Sequence, residues 1–191
     1  MEYRRFMFDR SVVWYDIKEQ PADRRFMRKE HGMTVTPRKA STLLLLRDGA
    51  LYGGASTEAL LLLRHPGNSF VPEHYVYPGG AVEIQDVGVV EMGLCRGIDP
   101  DCALALIEDA ETAVEAMAYW VAAARETFEE TGILIAVRTD GSPPDFRNGT
   151  FVERIEMSRR RLCEEEIVFA DFLQNEGLLV ACDRMKYFSR W

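Results

Sequence analysis

The segment from Arg125 to Ile133, RETFEETGI, constrains the fold more than any other part of the chain. It spaces Glu126, Glu129 and Glu130 at i, i+3 and i+4, so one helix face would carry three carboxylates whose attachment points lie about 5–6 Å apart. Like charges this close weaken an isolated helix, and a divalent cation reverses that cost because Mg²⁺ and similar ions prefer hard oxygen ligands. The opposite face has the spacing of a buried apolar stripe, formed by Met117, Trp120, Val121, Ala124 and Phe128. The sequence therefore predicts a helix that packs against a core and displays an acidic, metal-binding face.

A Pro-Gly-Gly turn precedes this helix in the segment 77–83, YPGGAVE. Turn and helix together resemble the signature of the Nudix hydrolases: a glycine, an acid six residues later, then Arg-Glu, two spacer residues, Glu-Glu, one residue and Gly. Gly80 matches the opening glycine, Asp86 stands where the family usually has Glu, and Thr127 stands where it usually has an aliphatic residue. Residues 87–124 form a spacer of 38 residues where the family usually has seven, which is an insertion of 31.

A signature interrupted in this way is similar to the branch typified by peroxisomal coenzyme A diphosphatases. Further stretches of the chain resemble that branch, namely 36–47, 60–64, 70–80 and 187–191. The resemblance runs from about residue 35 to Trp191. In that branch the Arg-Trp pair leads into another strand, so the resemblance implies that a C-terminal part of the fold is absent from this sequence. We expect either a longer native polypeptide or a homodimer that covers the gap.

The resemblance implies an α/β fold, specifically a Nudix-type α/β/α sandwich with a mixed central sheet that is incomplete at the C-terminus. The expected domains are an N-terminal extension, 1–34, and a Nudix hydrolase domain, 35–191, with an insert at 87–110. The extension mixes basic and aromatic residues without the apolar core of a signal peptide. An ordered arm, a tag-like or misassigned leader and a basic binding arm all remain open for it.

Hydrophobic patterning places the remaining elements. Strands are predicted at 40–47, 58–64, 74–77, 133–137, 178–181 and 186–188. Helices are predicted at 111–131, 151–165 and 168–174, the first ending at Gly132. The insert is predicted as loops with one helical turn at 103–107. The run Arg159–Arg161 followed by Glu164–Glu166 is interpreted as a solvated helix with ion pairs.

Composition limits the partners. A formal charge of −8 argues against nonspecific binding to nucleic acid or to anionic membranes, which needs clustered Lys and Arg. The chain contains no apolar run of the roughly 18–20 residues that a membrane span requires. Four cysteines without CxxC spacing indicate reduced thiols in a cytoplasmic protein.

The resemblance also implies roles for the site residues. Glu126 and Glu130 would bind Mg²⁺ or Mn²⁺ directly, and Glu129 would be either a ligand of a further metal or a base that orients water. The Gly79 carbonyl would be another metal ligand, and Arg125 would orient one of the glutamates. A solvated acidic face, or an exposed Arg125–Glu129 pair, is the alternative for the helix.

Two residues are predicted to meet the substrate. Gly80, with its neighbour Gly79, would let the backbone approach the bound ions and phosphates, although a plain hairpin-type turn explains the same glycines. Arg64, at a strand end, would contact a phosphate, or it would be an ordinary surface arginine.

The reaction implied by the resemblance is hydrolysis of the diphosphate linkage in a nucleoside diphosphate linked to another moiety, with coenzyme A or acyl-coenzyme A as the first specific substrate. The partner is therefore a small molecule. The alternative is a catalytically silent Nudix domain that binds a nucleotide as a sensor or partner module. Two departures from the family pattern bear on substrate and activity. Residues 65–73 lack an arginine that coenzyme A-cleaving relatives carry, and the additional acid that the resemblance leads us to expect later in the chain would lie beyond Trp191.

Overall fold

The computed structural model describes residues 12–16, 38–49, 56–63 and 74–190. The chain divides into two compact units, one made of residues 1–38 and 44–78 and the other of residues 39–43 and 79–191. The N-terminal extension apart from 12–16, the proposed phosphate contact Arg64 and the terminal Trp191 lie outside the described residues.

Nine strands and five helices are described. The strands are β1 (Val12–Asp16), β2 (Ala40–Thr42), β3 (Leu46–Gly49), β4 (Ser56–Leu63), β5 (Tyr75–Val76), β6 (Gly79–Ala81), β7 (Cys95–Arg96), β8 (Ala136–Arg138) and β9 (Leu178–Ala181). The helices are α1 (Ile84–Glu91), α2 (Pro100–Leu106), α3 (Ala113–Thr131), α4 (Gly149–Cys163) and α5 (Phe169–Glu176).

The first unit contains one antiparallel sheet built around β4. Strands β1, β3 and β5 all pair with β4, in registers that set Trp14 opposite Leu60 and Leu46 opposite Ala59. Five residues of the N-terminal extension therefore form a strand of this sheet. The β4 side chains Ala59 and Leu60 are buried, as expected of a central strand.

The second unit contains two small sheets. Strands β2 and β6 pair antiparallel, with Ser41 opposite Gly80 and Thr42 opposite Gly79. Strand β9 lies between β7, to which it is parallel, and β8, to which it is antiparallel. The glycine turn is thus a strand in this unit, paired along one side with β2.

Helix α3 is the centre of the second unit. Its N-terminus is capped by the Thr112 side chain, which accepts from the Glu115 N–H, and it ends at Gly132 in the left-handed region, with φ 74°. Its buried stripe packs against α1, α2, α4 and the pair β2–β6. Phe128 of α3 stacks on Phe172 of α5, with ring centroids 5.1 Å apart.

The predicted α/β fold class is confirmed, with its strands distributed over three sheets rather than one. The long acidic helix, its terminal glycine and the strands around residues 58–63 and 178–181 are where the pattern predicts them. No helix in the described part of the chain is both long enough and apolar enough to cross a membrane.

Four sequence predictions are wrong. The apolar run 40–47 is two short strands in different sheets, β2 and β3, and none of its residues is fully buried. The insert 87–110 is not mainly loop, because it contains most of α1 together with β7 and α2. Residues 186–188 form no strand, and the strand predicted at 133–137 begins only at Ala136. Strand pairing with distant segments, which periodicity does not report, decides where the strands within 40–47 and 133–137 begin and end.

Candidate active site

The glycine strand β6 lies against the acidic end of α3. The Gly79 N–H donates to Oε2 of Glu130 at 3.0 Å. At Gly80 the fit is tighter, because a Cβ there would lie 2.4 Å from the carboxylate carbon and from Oε1 of Glu126. The missing side chain of Gly80 therefore provides the space that the Glu126 carboxylate fills.

Arg125 connects the groups of this site. It is 3% exposed, and its Nη1 donates to Oε1 of Glu126 at 2.9 Å and to Oε2 of Glu129 at 3.3 Å. Its Nη2 donates to the Ala81 carbonyl at 3.0 Å, which ties the guanidinium to β6. The exposed Arg125–Glu129 pair offered as an alternative by the sequence is therefore wrong, because the arginine is buried.

Asp86 holds Arg125 from the other side. Its two oxygens accept from Nε at 2.8 Å and Nη2 at 3.0 Å, and the carboxylate is completely buried. Such a two-point contact fixes the plane of the guanidinium as well as its position. The Asp86 carboxylate also accepts from the Glu83 N–H at 2.8 Å, and the Glu83 side chain accepts from the Asp86 N–H in return. The two hydrogen bonds form a capping box at the N-terminus of α1. The 38-residue spacer therefore leaves Asp86 and Arg125 in direct contact.

The carboxylates facing Arg125 are poorly solvated. The side chains of Glu126 and Glu129 are only 16% and 20% exposed. Burial raises the pKa of Glu129 to about 7, against the opposing charge of Arg125 and with a further contribution from Glu126. Burial likewise raises the pKa of Glu126, although Arg125 lowers it in part. The pKa of Arg125 is itself raised, because hydrogen bonds and charge from Asp86 and the glutamates outweigh its burial.

The site offers the donors that a hard divalent cation uses. Within the described residues no three acidic, histidine or cysteine side chains are grouped so that they could hold a metal ion. The glutamate oxygens instead accept hydrogen bonds from Arg125 and from the Gly79 N–H. The donor set nevertheless fits such an ion. The half-buried carboxylates of Glu126 and Glu129 share one donor, Nη1 of Arg125, and burial raises the pKa of both, so both lack full solvation. The Glu130 carboxylate binds the N–H of Gly79, and hard oxygen ligands of this kind suit Mg²⁺.

The structure brings together Gly79, Gly80, Arg125 and the three glutamates, which are six of the seven residues that the sequence nominated. The seventh, Arg64, is outside the described residues. Their chemical roles remain predictions.

Two contributors to the site are missed by the sequence. Arg159 and Cys163 of α4 both donate to the Glu129 carbonyl, at 3.2 Å and 3.6 Å. The prediction that the run Arg159–Arg161 is solvated holds for the exposed Arg160 but is wrong for Arg159, which is partly buried against α3. No local pattern separates these neighbouring arginines, because the difference depends on how α4 packs.

Comparison with known proteins supports the Nudix superfamily at the level of structure. A crystal structure of a NUDIX hydrolase from Alicyclobacillus acidocaldarius is similar to this chain, with a TM-score of 0.57 and 26% sequence identity. The match covers 78% of this chain and 59% of that one, so this chain spans well under two thirds of the length of its structural relative. No family model and no curated protein matches the sequence.

Proposed function

We propose that this protein is a Nudix-type pyrophosphohydrolase that uses Mg²⁺ or Mn²⁺ to hydrolyse the diphosphate linkage of a nucleoside diphosphate joined to another moiety. The observation that carries the proposal is the contact between β6 and the acidic end of α3, with the Gly79 N–H bound to Glu130 and Gly80 against the Glu126 carboxylate. The similarity to a solved NUDIX hydrolase supports the same class of reaction.

The residues of the site suit this chemistry. Glu126 and Glu130, with the Gly79 carbonyl, would hold the cation, which when bound supplies positive charge to the phosphate oxygens and lowers the pKa of water. Glu129 would serve as a further ligand or would orient the attacking water. Arg125, fixed by Asp86, would keep the carboxylates in their orientation.

Coenzyme A or acyl-coenzyme A remains the first specific substrate proposed, on the strength of the interrupted signature alone. The net charge of −8 supports a small-molecule substrate rather than nucleic acid. The four cysteines are free, which supports the proposal of a cytoplasmic location. A homodimer also remains a proposal.

A substrate panel tests the proposed reaction. Coenzyme A, ADP-ribose, NADH and dinucleoside polyphosphates would be incubated with Mg²⁺ or Mn²⁺ and with wild type, Glu130→Gln or Glu153→Gln, and nucleotide release would be measured. Glu153 is an exposed glutamate of α4 and serves as the matched control. We expect Glu130→Gln to lose roughly 100-fold or more in rate, the effect typical of removing one group that stabilises transition-state charge, and Glu153→Gln to match wild type.

The same panel identifies the competing function. Equal release by wild type and Glu130→Gln would remove Glu130 from the mechanism. Nucleotide binding by wild type without release, measured by calorimetry on the same compounds, would instead identify a catalytically silent sensor or partner module.

A further inference from the structure

We infer that Arg159 of α4 is a positioning residue for the metal-binding end of α3, acting through the backbone of Glu129. The inference rests on the proposed function for its catalytic consequence, but the contact itself is a property of the fold. It gives α4, a helix outside the Nudix signature, a part in shaping the site.

The C-terminus of α3 leaves the Glu129 carbonyl without its usual helical donor. In a continuing helix that carbonyl would accept from the Ile133 N–H. Here the Ile133 N–H instead donates to the Thr131 hydroxyl at 3.1 Å, and Gly132 turns the chain out of the helix. The Arg159 guanidinium and the Cys163 thiol supply the missing donors.

A positively charged side chain is stabilising at the C-terminal end of α3. The C-terminal end of a helix carries partial negative charge, and basic residues there are stabilising whereas acidic ones are not. The last turn of α3 contains Glu129 and Glu130 but no basic residue. Arg159 supplies the positive charge from α4, and its hydrogen bond to a helix-terminal carbonyl is charge-assisted.

The remaining contacts of Arg159 restrict where the end of α3 can lie. Its Nε is 3.4 Å from the position of a Cβ on Gly132, so the guanidinium lies directly over the turn that ends the helix. The Nε has no hydrogen-bond partner among the described residues, while Oε2 of Glu156 is 3.7 Å away. The hydrogen bond from Nη1 to the Glu129 carbonyl, at 3.2 Å, is therefore the main polar contact of the side chain.

The hydrogen bond from Arg159 is made to Glu129, whose side chain also accepts from Arg125. Glu129 is held at two points, at its carboxylate by Arg125 and at its carbonyl by Arg159. Without the second point, the last turn of α3 would fray and the oxygens of Glu129 and Glu130 would lose their fixed spacing. Metal affinity depends on such outer contacts, whose loss typically costs 10–100-fold.

The test compares Arg159→Met, Arg159→Lys and Arg160→Met with wild type. Lysine keeps the charge and a donor, whereas methionine keeps only the apolar stem. Arg160 is the matched control, being the next residue of α4, 74% exposed, with only a 3.8 Å ion pair to the same Glu156. All variants would be compared at a temperature where circular dichroism shows each to be folded.

Hydrogen exchange in metal-free protein is the first measurement. We expect the amides at the end of α3, including Gly132, to exchange roughly 10-fold faster in Arg159→Met, to recover largely in Arg159→Lys, and to be unchanged in Arg160→Met. Unchanged exchange in Arg159→Met would overturn the inference whether or not the protein is an enzyme.

Mn²⁺ binding, followed by electron paramagnetic resonance, is the second measurement. We expect the dissociation constant for Mn²⁺ to be about 10-fold higher in Arg159→Met and to be partly restored in Arg159→Lys. Faster exchange with unaltered Mn²⁺ affinity would show a purely structural cap and would also overturn the positioning role. If wild type neither binds Mn²⁺ nor releases nucleotide, the proposed function fails, and the exchange data alone decide whether Arg159 holds the helix end.

Discussion

At the scale of single residues, Arg125 and Asp86 determine whether the site can exist. A guanidinium that is 3% exposed is tolerated only because a fully buried carboxylate binds it at two points. The same guanidinium then donates to the carboxylates of Glu126 and Glu129 and to the Ala81 carbonyl of β6. Its charge therefore serves the fold and the site together.

Asp86→Asn tests this dependence. The change removes the charge that compensates Arg125, so we expect the free energy of unfolding to fall by about 3 kcal/mol or more, and hydrolysis to fall with it. Urea denaturation is the measurement, and the exposed Asp101→Asn in α2 is the control, expected to stay within about 0.5 kcal/mol of wild type. Equal stability of the two variants would mean that the ion pair contributes little.

Two buried threonines of α3 are predicted to respond in opposite ways to valine. The Thr127 hydroxyl has no hydrogen-bond partner in the described part of the protein, so Thr127→Val should raise the unfolding free energy by about 1 kcal/mol. The Thr131 hydroxyl donates to the Thr127 carbonyl at 2.6 Å and accepts from Ile133, so Thr131→Val should lower it by about 1–2 kcal/mol. Thermal and urea unfolding of both variants would show the contrast. A loss of stability in Thr127→Val would indicate that its hydroxyl is bound, for example by water.

At the scale of elements, strand β6 pairs with β2 and contacts α3, and its two adjacent glycines, Gly79 and Gly80, therefore have different surroundings. Gly79 faces the β2 backbone, where a Cβ would lie 2.3 Å from the Ser41 carbonyl oxygen, and its φ of 154° is unfavourable for other residues. Gly80 faces the movable end of the Glu126 side chain instead.

Alanine at each glycine should therefore give distinct defects. Gly79→Ala meets backbone and should destabilise the protein by roughly 2–3 kcal/mol. Gly80→Ala displaces the Glu126 carboxylate, so it should reduce Mn²⁺ affinity and hydrolysis while costing less stability. Thermal unfolding together with Mn²⁺ titration distinguishes the two, and a Gly80→Ala protein with wild-type metal affinity would contradict the placement of Glu126 at the site.

At the scale of the whole molecule, the core of the second unit is continuous from α3 to α5. The rings of Phe128, Phe169 and Phe172 are almost fully buried and pack with centroids 5.1 to 6.5 Å apart. Phe172 stacks on both of the others, which are tilted relative to each other. Phe172→Ala should cost about 3–5 kcal/mol and lower the unfolding midpoint of this unit. Phe146→Ala, at a residue 43% exposed, is the comparison and should cost much less. Similar losses in both would mean that α5 is peripheral.

Sequence reasoning recovered the parts of this molecule that local rules determine. The face shared by Glu126, Glu129 and Glu130, the buried stripe that includes Phe128, and the stop at Gly132 all follow from helical spacing and from the conformational freedom of glycine. Asp86 and Arg125 were each matched to the family signature, but the contact between them was not predicted, because 38 residues separate them in the sequence. The role of Arg159 and the division of 40–47 between two sheets depend on packing between distant segments, about which the local pattern says nothing.

The ion pair between Asp86 and Arg125 also bears on how long the segment between these residues can be. It holds residues 86 and 125 together beside the glutamates of α3, so the segment that connects them can lengthen without moving either end. Loop-closure entropy grows only logarithmically, and extending a flexible connection from seven to 38 residues costs about 1.5 kcal/mol. Added residues recover part of that cost when they contribute to the core, as Leu94 and Ala103 do. This connection is therefore a place where residues that form a new recognition surface can be added while the contact between Asp86 and Arg125 is kept.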